Sequence, residues 1–97
     1  MSNNSKINET ILSYLMNYNP EMIGLFGSYA RNENKMNSDI DILVKFKEIV
    51  SLLQLVKIEN ELSHLLGVKV DLLTTGALKN ERVKLSIEKD LQIIYQA

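Results

Sequence analysis

Two aspartates, Asp39 and Asp41, interrupt the apolar run SDIDILVKF with a single residue between them. Side chains alternate along an extended chain, so the pair points to one side with its Cα atoms roughly 6.5–7 Å apart. At that spacing both carboxylates can converge on one ion. Ile40, Ile42 and Val44 point the other way, toward a core. A second run, VKVDLL, repeats the design: Val68, Val70 and Leu72 share one face, and Asp71 sits on the other with Lys69 and Leu73. If the two strands are neighbours in register, Asp39, Asp41 and Asp71 form a three-carboxylate cluster. Three partly buried, unpaired charges cost on the order of several kcal/mol. A divalent cation removes that cost, and hard oxygen donors suit magnesium or manganese. Taken alone, the D-x-D pair is equally what results when Asp39 opens a strand and Asp41 lies on a solvated sheet face. A calcium loop is excluded, because its spacing and its glycine are missing.

Upstream, Gly27-Ser28 follows the short apolar run MIGLF and opens a helical turn. Backbone N–H groups at such a start attract anions. Glycine lets a phosphate approach the chain, and the serine hydroxyl adds a hydrogen bond. Arg31 lies three residues on, within reach of phosphate or of the acidic cluster. By itself a Gly-Ser pair is an ordinary turn, and no Walker phosphate loop occurs in the chain. Phosphate donors before one strand and carboxylates on the next are what nucleotide–metal chemistry requires. One ion clamps a triphosphate while a second activates the attacking oxygen. Asp39 and Asp41 would bridge both ions. Asp71 would complete the second site and take the proton of the attacking group.

Those residues need a scaffold. Helical spacing of Ile7, Ile11, Tyr14, Leu15 and Tyr18 predicts a helix over residues 6–18, ended by Asn19-Pro20. Strands are expected at 22–26, 39–46 and 68–74. A second helix spans 49–66, with Leu52, Leu55, Val56, Leu62, Leu65 and Leu66 as its apolar face and Gly67 as a left-handed cap. A third helix covers 78–89, and LQIIY is either a last short strand or a frayed end. The alternation indicates one α/β (α+β) domain over 1–97, a small mixed sheet of three to four strands with helices packed on one face. Strand pairing is not legible at this level.

The 97 residues carry a formal net charge of −1 and no cysteine. Disulfides, thiolate metal sites and thiol nucleophiles are therefore excluded. No basic patch bids for direct contact with nucleic acid. No stretch approaches the ~20 apolar residues of a membrane span, and the N-terminal residues lack a signal-peptide core, so the expected address is cytoplasmic. His64 near the end of the second helix, Tyr14 and Tyr18 on the first, and Lys45 and Lys47 at a strand end have ordinary structural explanations.

Gly27-Ser28, ten intervening residues, then Asp39-Ile40-Asp41 resembles the signature of the polymerase-β-type nucleotidyltransferases, and Asp71 matches their third carboxylate. GSYAR…SDIDILV and the short length are most similar to the minimal, MNT-type members. That resemblance implies the polymerase-β-type fold, ATP as substrate and two magnesium ions, or manganese, held by Asp39, Asp41 and Asp71. It implies nucleotide binding by Gly27, Ser28 and Arg31. It also implies an antitoxin that transfers AMP to a tyrosine hydroxyl of a partner HEPN ribonuclease toxin. Asn32 stands where many relatives have glycine, a position where asparagine tolerates a left-handed turn. Two other readings stay open: a module that neutralises its partner by contact alone, and a transferase acting on a small molecule. A domain this small has no second lobe to grip an acceptor, which favours a separate protein in that role.

Overall fold

The computed structural model describes residues 3–27, 39–75 and 81–97. Helix α1 (Asn3–Leu15) runs into a 3-10 turn (Met16–Tyr18), where Asn19 adopts a left-handed conformation (φ 54°) and lets the chain reverse into β1 (Pro20–Phe26). Strand β2 (Ile40–Phe46) is followed by α2 (Leu52–Leu66), β3 (Val70–Thr74), α3 (Glu81–Asp90) and β4 (Gln92–Gln96). Helix α2 begins three residues later than its apolar pattern suggests. Ser51 stops it there, its hydroxyl accepting the Gln54 N–H at 3.2 Å. At the other end Gly67 (φ 72°) closes the helix by donating to the Ser63 carbonyl at 2.9 Å, as its position in the sequence leads one to expect.

The four strands form one mixed sheet in the order β3-β2-β1-β4. β1 lies antiparallel to both β2 and β4, whereas β2 and β3 run parallel, joined across α2. LQIIY is thus a genuine strand, paired with β1 (Ile23 opposite Tyr95). The main core lies on one face, where Ile11 and Leu15 of α1 and Ile58 and Leu62 of α2 meet Ile23, Leu25, Ile40, Ile42, Val44, Val70 and Leu72. α1 and α2 form the expected helical layer on this face, whereas α3 packs on the other. A smaller apolar cluster occupies the opposite face, where Ile87 of α3 joins Phe26 and Leu43.

The inner side of α2 differs from the expected one. Ile58 and Leu62 are buried, with Leu55 and Leu66 packed beside them. Leu52, Val56 and Leu65, expected inside, are 76%, 46% and 58% exposed. The buried set follows 55-58-62-66, a single i+3/i+4 stripe. The helix carries a second apolar stripe, so periodicity alone could not choose between them. Among the described residues no helix is long and apolar enough to cross a membrane.

Candidate active site

The strands bring three sequence positions to one end of the sheet. β1 ends at Phe26, whose cross-strand partner is Asp41, and Asp41 is paired on its other side with Asp71 of β3. The carboxylates thus sit on adjacent parallel strands in exact register, both near the strand starts. Asp39 lies one residue ahead of β2. Ile40, Ile42 and Val44 are buried on the other face, as alternation requires.

The aspartate face is not an open solvated surface. Leu43, two residues beyond Asp41, is 3% exposed, and Phe26, opposite Asp41, is 9% exposed. Asp41 therefore stands at the rim of an apolar cluster. Its carboxyl is pushed up from the usual carboxylate range to about 6. Burial is the first cause; the Asp71 charge, a hydrogen bond with Asp71 and the Asp39 charge follow. Burial and the facing Asp71 carboxylate thus disfavour the charged form of Asp41, and negative charge is concentrated at this end of the sheet. Among the described residues Lys69 is the cation within reach of Asp71, its Nζ 4.0 Å from Oδ1 on the solvent side.

Gly27 completes this arrangement. Its φ of 75° is a left-handed value. A Cβ at this position would run into the Asp41 carboxylate. Glycine is needed here for its backbone angle and for the space it leaves above Asp41.

Asp41 and Asp71 are gathered into a pair, and Asp39 joins them through its charge. Among the described residues no set of three acidic or histidine side chains is drawn together as a ready-made cage for an ion. The donor set nonetheless fits a hard divalent cation: carboxylate oxygens only, in excess negative charge. Ser28 and Arg31, expected to bind phosphate, lie outside the described residues, as do Tyr29 and Asn32. Lys45 lies at the far end of β2 and pairs with Glu21 at 3.1 Å; His64 is exposed in the last turn of α2. Tyr14 and Tyr18 are half-buried, with their hydroxyls 3.4 Å apart.

Residues 6–94 match the nucleotidyltransferase domain family. The chain belongs to that family. It is 55% identical over 74 residues, 76% of each chain, to the Methanocaldococcus jannaschii protein MJ1217, provisionally named a protein adenylyltransferase. As a nucleotidyltransferase it also shares its fold with chains of two solved toxin–antitoxin complexes. One contains AMP-PNP (TM-score 0.84, 22% identity, covering 93% of this chain and 73% of that one). The other is a tri-AMPylated Shewanella oneidensis HEPN toxin with its MNT antitoxin (TM-score 0.78, 19% identity, 96% and 72% covered). The family expected from Gly27 to Val44 and Asp71 is therefore borne out.

Proposed function

We propose that this nucleotidyltransferase is an antitoxin that moves AMP from ATP to a hydroxyl, that of a tyrosine, on a partner HEPN ribonuclease toxin, and so silences it. The observation that carries this reading is the Asp41–Asp71 pair set against Gly27. It is a concentrated negative site packed directly against the Gly27 backbone. In this reading Gly27, Ser28 and Arg31 bind the phosphates, and Asp39, Asp41 and Asp71 hold magnesium or manganese. When bound, the cations neutralise the triphosphate and lower the barrier to attack by an oxygen nucleophile. The acceptor oxygen bonds to the α-phosphorus, the bond to the bridging oxygen breaks, and pyrophosphate leaves. Asp71 takes the hydroxyl proton. The name of the archaeal relative and the toxin–antitoxin setting of the solved neighbours support the same acceptor class.

A partner also has somewhere to sit. Leu52, Leu53 and Val56 on the first turns of α2 are 76%, 84% and 46% exposed, and Ile49, in the chain that leads into the helix, is fully exposed. Lys47 and Lys57 are exposed beside these side chains. The occupant in our reading is the toxin, offering a helix with an apolar face.

The deciding experiment is intact mass spectrometry of the co-expressed partner after ATP and Mg²⁺ are added. A partner heavier by one or more AMP units, and unshifted with the Asp39→Asn/Asp41→Asn variant, is the expected result. An unshifted partner in a stable complex would instead assign neutralisation to contact, the reading that the exposed stripe also favours. A variant that cannot transfer but still protects cells would lead to that same conclusion.

A further inference from the structure

β3 is the edge strand beside β2. Its parallel pairing, with Asp71 level with Asp41, turns the N–H groups of Val70 and Leu72 away from β2. Outward amides of an edge strand ordinarily face water or invite another strand. Here both are taken by side chains of α2. The Leu72 N–H donates to Glu59 Oε2 at 2.8 Å, and the Val70 N–H donates to Ser63 Oγ at 2.9 Å. The Ser63 hydroxyl in turn donates to the Glu59 carbonyl at 2.8 Å, which fixes its lone pairs toward the strand. Glu59 and Ser63 are four residues apart on one helical face, a rise of about 6 Å. Val70 and Leu72 are two residues apart on the strand, roughly 6.5–7 Å. The two repeats match, so the helix grips the strand on either side of Asp71.

We infer that Glu59 and Ser63 are positioning residues, which set the height of Asp71 along β2 and keep its carboxyl opposite Asp41. The inference rests on the reading of these aspartates as an ion-holding pair. A slip of one residue would turn Asp71 to the opposite face. The Glu59 bond is charge-assisted and so the firmer of the two. If these side chains only covered the edge, their loss would lower stability without regard to what residue 71 is. If they act through Asp71, their effect on ion binding disappears once Asp71 is gone.

The test is Mn²⁺ titration followed by electron paramagnetic resonance, with melting temperatures measured alongside. Glu59→Ala, Glu59→Gln and Ser63→Ala are each made with and without Asp71→Asn. Asp71→Asn is expected to weaken Mn²⁺ binding by about tenfold or more, and Glu59→Ala, which removes the bond to the Leu72 N–H beside Asp71, by about tenfold. Glu59→Gln keeps an acceptor oxygen and stays within about twofold of the parent. In the Asp71→Asn background Glu59→Ala adds no further loss. Unchanged Mn²⁺ affinity in Glu59→Ala, or an equal loss in both backgrounds, overturns the inference. If Asp71→Asn itself leaves Mn²⁺ binding untouched, the ion-holding reading falls, and this inference with it. Should Glu59→Ala fail to fold, Ser63→Ala makes the same comparison after removing only a hydroxyl.

Discussion

Asp41 is tuned against its own ionised form. Its folded value of about 6 lies above the ordinary 3.8 of an unfolded aspartate, so the folded chain binds this proton more tightly than the unfolded one. The stabilising contribution is complete below about 4 and is lost as the pH rises through about 6. The metal-free protein should therefore gain melting temperature from this residue as the buffer is taken from pH 7 to pH 5. Asp41→Asn should raise the pH 7 melting temperature in EDTA and flatten that gain. Scanning calorimetry checks both, and a parent whose melting is no more pH-dependent than the variant's would contradict the cause assigned here. Added Mg²⁺ should reverse the order, stabilising the parent more than Asp41→Asn.

Two glycines with nearly the same backbone angle separate strain from space. Gly67 (φ 72°) has nothing within 4 Å of where a Cβ would stand, while Gly27 (φ 75°) faces the Asp41 carboxylate. Gly67→Ala should cost about 1–2 kcal/mol of stability for the left-handed backbone alone and leave transfer intact. Gly27→Ala should incur that same cost and also displace Asp41, abolishing binding of a non-hydrolysable ATP analogue. Calorimetric titration with AMP-PNP distinguishes the two variants.

At the level of elements, Ile58→Ala should cost about 2–5 kcal/mol, because Ile58 is fully buried among both helices and the sheet. Leu52→Ala should be close to neutral, because Leu52 is largely exposed. Chemical denaturation of both variants gives the comparison. This contrast marks where sequence reading stopped. The strands around Asp41 and Asp71 were legible because period-two alternation leaves few options over five to seven residues. The inner side of α2 was not, since two apolar stripes share one helix and only contact with the sheet selects between them. The parallel pairing of β2 with β3 was also hidden, being a contact between segments about thirty residues apart. The three carboxylates could thus be listed from the sequence, but the pairing of Asp41 with Asp71 could not be derived from it. Glu59 left no trace at all: a glutamate on a helix looks solvated until the neighbouring strand is in place.

At the scale of the whole molecule, the exposed stripe and the carboxylates lie at opposite ends of β2. Leu53→Asp should abolish co-purification of the partner while leaving the melting temperature and AMP-PNP binding unchanged, since Leu53 is 84% exposed. A partner that still co-purifies with this variant would move the docking surface elsewhere. The six residues of strand from Asp41 to Phe46 span about 17 Å. Under the proposed function, a toxin held on the stripe would have to present its acceptor hydroxyl on an arm that crosses that distance. Its encounter with the carboxylates then depends on the length and stiffness of the arm rather than on how much toxin is in solution. Transfer within the complex should be insensitive to dilution, and a single docking event can deliver several AMP units before the partners separate.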